Sequence, residues 1–116
     1  MTDRLANLIA LKEAVEAGDD AAFRSANRAV FSTPCQDMAL QMREGYARYA
    51  YKGSISDAKA LHEAVLPGWA WLLGNNGSAT VLPKSGRGTV CKIKDNPARG
   101  WLMAILSALI ERERQP

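Results

Sequence analysis

HEAVLPGWAWLLGNNG, residues 62–77, decides how the chain is divided. A helical pattern runs into Pro67-Gly68 and comes out as two tryptophans one position apart. Upstream, Ala58, Leu61 and Val65 repeat at helical spacing behind Ser54 or Ser56, either of which can cap the helix. Pro67 cannot continue that helix, because it lacks the amide proton and its ring crowds the preceding turn. Downstream, Trp69 to Leu73 is short, rich in large apolar side chains and bounded by turn residues, which predicts a strand. Its alternation places Trp69, Trp71 and Leu73 on one face, with Ala70 and Leu72 on the other. Gly74-Asn75-Asn76-Gly77 tolerates positive φ and turns the chain into a second strand, Ser78 to Leu82. After the loop Pro83 to Gly88, a third strand is predicted over Thr89 to Lys94. Connections this short imply an antiparallel meander.

Working outward, Asp95-Asn96-Pro97 places a capping side chain before a proline at the first helical position. It opens a helix whose apolar stripe is Ala98, Trp101, Leu102, Ile105, Leu106 and Leu109. Trp101 and Ile105, with Leu61 and Val65, are the expected partners of the tryptophan face, which is therefore read as core and not as a stacking platform. Toward the amino end, Thr2 can cap a first helix with Leu5, Leu8, Ile9 and Val15 inward and Gly18 as its stop. Asp19 can cap a second, carrying Phe23, Ala26, Val30 and Phe31. Ser32-Thr33-Pro34 restarts a third, with Met38, Met42, Tyr46 and Tyr49 on one side, Gly45 as a weak point and Lys52-Gly53 as its end. The order α-α-α-α-β-β-β-α defines an α+β fold: a helical half, residues 1–53, then an αβββα unit, 54–116, with a small antiparallel sheet packed by helices in one domain.

The 116 residues are 47% apolar and 23% charged, ordinary values for a globular chain. The apolar runs are too short to span a bilayer, and Asp3 and Arg4 interrupt the start as no secretory leader would. A soluble, cytoplasmic protein without a membrane partner is expected. Cys35 and Cys91 form neither a CxxC nor a Cys/His pattern, so no structural metal and no cofactor is expected. Residues 1–53 hold seven basic and seven acidic side chains, whereas 54–116 hold eight and five. The excess lies in Lys84, Arg87, Lys92, Lys94 and Arg99, opposed locally by Asp95 alone. A confined basic cluster suits a specific anion better than a nucleic-acid coat.

Chemistry-bearing patterns are thin. His62-Glu63 begins a zinc-protease motif whose second histidine is replaced by Leu66. As the sole histidine, His62 is expected to be a partly exposed helix residue or a capping partner, and no catalytic or metal-binding residue is predicted. Lys84-Ser85-Gly86-Arg87-Gly88 lacks the order of a phosphate loop and precedes a strand, yet its charge and exposed amides could grip an anion. Lys92 and Lys94 share a strand face with Val90, so that face is either open to water, as on a lysine-protected edge strand, or lines a charged cleft. Tyr46, Tyr49 and Tyr51 could stack bases but suit a core and its rim.

DAKALHEAVLPGW (57–69) and DNPARGWLMAILSALI (95–110) together resemble small proteins of tailed bacteriophages and prophages, which carry an LPGW helix, a short sheet and a closing helix. The domain is close to the phage ABA-sandwich. Gly100 stands where that pattern has Ala. The resemblance covers the second half of the chain, implies origin and fold, and transfers no catalytic residue. Together with the small size and the absence of a plausible catalytic set, it leads to the expectation of a non-enzymatic, phage-encoded accessory binding protein acting on a component of the host cytoplasm. The sharper form is sequestration of an anionic nucleotide signal of antiviral defence, such as a cyclic nucleotide, by Lys84, Arg87, Lys92, Lys94 or Arg99. The alternatives are an interaction module for a host or phage protein and, behind it, a nucleic-acid-binding protein. Self-association into a homo-oligomer is also expected, since a free sheet edge and an amphipathic helix offer ready self-contacts.

Overall fold

A computed structural model describes residues 3–31, 42–74, 76–84, 86–93 and 96–114. Within them the order is α1 (Asp3–Ala17), α2 (Asp20–Phe31), α3 (Arg43–Lys52), α4 (Ile55–Val65), β1 (Ala70–Leu73), β2 (Ser78–Leu82), β3 (Thr89–Lys92) and α5 (Pro97–Arg114). The α+β order read from the sequence is the observed one. The proposed Thr2 cap, the Pro34 restart, Cys35, Met38, Lys94 and Asp95 lie outside the described residues. No helix among the described residues is long and apolar enough to cross a membrane.

Local chemistry explains the boundaries. Gly18, at φ 71°, ends α1 while its amide donates to the Val15 carbonyl, a left-handed stop that glycine adopts without strain. Asp19 Oδ1 then accepts from the Ala22 amide and caps α2. Ser54, of the two candidate caps, is the one that starts α4: its hydroxyl accepts from the Asp57 amide at 3.2 Å. Asn96 Oδ1 accepts from the Arg99 amide at 3.0 Å, one step before Pro97 opens α5. The strands pair antiparallel in the order β1-β2-β3, Trp71 opposite Val81 and Val81 opposite Thr89.

The core is organised around α5, which packs on α1, α3, α4, β2 and β3. The sequence predicts one apolar stripe on this helix, but every residue from Gly100 to Ile110 is buried. Helices cover one side of the sheet. Its other face lies open, with Leu72 63% and Val90 64% exposed and Lys92 also exposed. Of the two placements read for the lysine face of β3, water is the observed one. β3 itself closes at Lys92, short of the predicted end at Lys94.

Gly100 sets the contact between α5 and the sheet. A Cβ there would stand 2.9 Å from the Gly77 carbonyl oxygen and 3.4 Å from the Ile93 amide nitrogen, so only hydrogen fits. The third helix also differs from its prediction. Its buried residues are Ala47, Ala50 and Tyr51, whereas Met42 and Tyr49 are exposed and Tyr46 is half-buried. Small alanines let the α3 backbone approach its neighbours closely, and Tyr51 then stacks on Phe23 at 4.1 Å between ring centroids. Packing, not side-chain size, chose the inward face. Gly45 lies inside α3 without ending it.

Candidate functional site

A cleft of about 390 Å³ lies where α2, α3 and the first turn of α5 meet. α2 contributes Asp20, Phe23 and Arg24, α3 contributes Arg48, Tyr51 and Lys52, and α5 contributes Arg99. Arg48 and Lys52 are one helical turn apart and so project to the same side of α3. Tyr49, 49% exposed, lies beside both. The Arg48 guanidinium is 5.1 Å and the Lys52 ammonium 5.8 Å from its ring centre, within the range of a cation–π attraction. Arg24 enters from the opposite wall, next to buried Phe23.

Tyr51 fixes the fourth cation. The Arg99 guanidinium sits 4.0 Å over its ring, and Arg99 Nε donates to the Tyr51 carbonyl at 2.9 Å. Phe23 occupies the other face of that ring, since two groups stacked this closely cannot share one side. The Tyr51 hydroxyl donates to Asp20 Oδ1 at 2.6 Å. Burial and this bond, with Arg99 pulling the other way, raise the Tyr51 phenol above its ordinary value of 10.0. Asp20, the carboxylate of the cleft, is thereby occupied.

The ion pairs among the described residues are Arg4–Glu113, Lys59–Glu63 and Arg114–Glu111. None uses Arg24, Arg48, Lys52 or Arg99. Four cations from three helices therefore share one cleft with no carboxylate of the described residues within salt-bridge reach. With both faces of Tyr51 covered, what remains for a ligand is charge and guanidinium donors, an arrangement suited to several phosphate or carboxylate oxygens.

The basic residues singled out in the sequence are dispersed. Lys84 and Arg87 are exposed in the β2–β3 connection, Lys84 near Gly68 and Arg87 beside a hollow lined by Trp69, Ala108 and Glu111. Lys92 is exposed at the far end of β3, about 10 Å along the strand from Thr89. Arg99 lies some nine helical residues, about 14 Å, from Ala108, so Arg87 and Arg99 serve opposite ends of α5. Of the four that are described, only Arg99 belongs to the cleft. Arg24, Arg48 and Lys52 escaped the sequence reading because the helical half has no net charge, although the Arg48/Lys52 spacing beside an aromatic was visible.

His62 differs from the expected exposed or capping residue: it is 1% exposed. Trp101 Nε1 can only donate. Its partner, at 3.3 Å, is His62 Nδ1. The His62 proton therefore sits on Nε2, which donates to the Trp69 carbonyl at 3.0 Å. Trp71 stacks on Trp101 with centroids 5.3 Å apart and meets His62 edge-on. A single imidazole thus ties the α4–β1 turn to α5, and neither nitrogen remains for a reactant.

Compared with family models, curated proteins and solved structures, the chain matches none.

Proposed function

We propose that this protein is a non-enzymatic binding protein that holds a small, multiply anionic ligand in the cleft between α2, α3 and α5. The observation that carries this reading is the convergence of Arg24, Arg48, Lys52 and Arg99 without a carboxylate partner among the described residues, Arg99 being held in place by Tyr51. Capture by charge requires no general acid or base, and His62 is engaged in the core. The two stretches that resemble phage proteins support a setting in an infected cell, where the ligand is a phosphorylated nucleotide signal of host defence. A ligand of this kind meets cations at its phosphates. Its base stacks on the guanidinium planes or on exposed Tyr49, because Tyr51 is already covered.

The test is calorimetric titration and thermal shift with pyrophosphate, linear and cyclic dinucleotides, cyclic trinucleotides and ADP-ribose isomers. A saturable rise in Tm with one phosphorylated ligand is expected, together with a loss of affinity of about 100-fold in the double variant Arg48→Glu, Lys52→Glu. Binding that survives that variant, or no stabilisation by any of these compounds, sinks the proposal. A Kd that weakens steeply with salt for long DNA, with no small-molecule binding, would assign the cations to nucleic acid instead.

A further inference from the structure

The outer edge of β3 carries a second inference, independent of the cleft. The Ile93 amide donates to the Gly77 carbonyl, which fixes the phase of the ladder between β3 and β2. In an antiparallel pair successive residues point their amides and carbonyls alternately to one side and the other. Thr89 and Cys91, in step with Ile93, therefore bond toward β2. The amide and carbonyl groups of Val90 and Lys92 point away from the sheet, and no further strand among the described residues lies beside them.

What lies there is a groove. α1 and β3 both pack on α5 but make no substantial contact with each other, and the gap between them has a volume of about 430 Å³. Its floor includes Ser107 and Ile110 of α5, and its far wall is α1, with Ile9 apolar, Lys12 basic and Glu13 and Glu16 acidic, so that wall keeps one net negative charge. Neither Glu13 nor Glu16 is in an ion pair among the described residues, while Glu111 at the rim is paired with Arg114.

We propose that the groove is a strand-addition site for an extended peptide bearing an apolar and a basic side chain two residues apart. The peptide backbone pairs with the outward groups of Val90 and Lys92 as a fourth strand, about 4.8 Å beyond β3. Side chains two apart share one face of a strand. The apolar one enters between Ile9 and Ile110, and the Lys or Arg meets Glu13 and Glu16. A second copy of this chain is a poorer occupant. Presenting its own β3 antiparallel, it would keep Val90 and Lys92 on the open face of the sheet and turn Thr89 and Cys91, neither of them basic, toward the groove.

The test is selection of a displayed library of random seven-residue peptides on the intact protein, followed by fluorescence anisotropy with the enriched peptides. Enriched sequences are expected to share an apolar–x–Lys/Arg pattern. Val90→Pro removes an outward amide without touching the ladder to β2, and it should lower peptide affinity at least tenfold while the fold, followed by circular dichroism, persists. The double charge reversal Glu13→Lys, Glu16→Lys on the α1 surface should do the same, and it decides the matter if Val90→Pro fails to fold. No enrichment, or enriched peptides indifferent to both variants, overturns the proposal. So does a dimer in native mass spectrometry that Val90→Pro dissolves, since the edge would then belong to a second copy.

Discussion

Replacing Gly100 by alanine puts two opposed effects at one atom. In an exposed helix Gly→Ala adds about 1 kcal/mol of stability by restricting the unfolded backbone. At Gly100 the added Cβ would lie 2.9 Å from the Gly77 carbonyl oxygen and 3.4 Å from the Ile93 nitrogen, and both neighbours are main chain. Those two atoms are themselves hydrogen-bonded to each other at 3.3 Å, so relief of the clash strains the bond that extends the β2–β3 ladder. Overpacking costs about 1–3 kcal/mol and a weakened bond about 1 kcal/mol more. Against the helical gain, Gly100→Ala should destabilise the protein by about 1–3 kcal/mol, a fall in Tm of about 4–12 °C. The control is Gly45→Ala in α3, where a Cβ meets nothing within 4 Å. It should raise stability by about 0.5–1 kcal/mol. Urea denaturation followed by circular dichroism measures both. If Gly100→Ala is as stabilising as Gly45→Ala, the close approach of α5 to the sheet is not as described.

Three further outcomes follow from the buried polar groups and the cleft. His62→Leu leaves the Trp101 indole donor and the Trp69 carbonyl without partners. It should cost about 2–4 kcal/mol in urea denaturation, with altered tryptophan fluorescence. The raised Tyr51 phenol adds stability that is whole below about pH 10 and is lost as pH climbs through its folded-state value. The difference in stability between the native protein and Tyr51→Phe should therefore be constant up to that pH and shrink above it. Arg99→Lys keeps the charge but loses the planar group stacked on Tyr51 and the Nε bond. Anion affinity should then drop about tenfold while salt dependence stays unchanged.

Element order was legible because proline, glycine and capping residues punctuate this chain strongly: Gly18-Asp19, Gly53-Ser54, Pro67-Gly68 and Asn96-Pro97 each mark an observed boundary. Faces were harder to read. In α5 a stripe of six apolar positions suggested one buried side, yet Gly100 to Ile110 contains no charged residue at all. That is the mark of a helix surrounded on every side. In α3 the large side chains drew attention from Ala47 and Ala50, whose small size admits the neighbouring helices. The cleft was illegible for a different reason. Charge was summed along the sequence, where Lys84 to Arg99 stands out, whereas Arg24, Arg48 and Lys52 join Arg99 only when three helices fold together. Arg99 belongs to both sets because it lies in the basic segment and at the end of α5 that meets the helical half.

The burial of α5 on all sides also governs the order of events in folding. Helices α1, α3 and α4 and strands β2 and β3 all lean on a helix that follows them in the chain, and the Arg4–Glu113 contact closes a separation of 109 residues. Neither the helical half nor the sheet can bury its apolar side before that helix is made. During synthesis the core is therefore expected to stay uncovered until α5 has emerged, a schedule that favours engagement by chaperones.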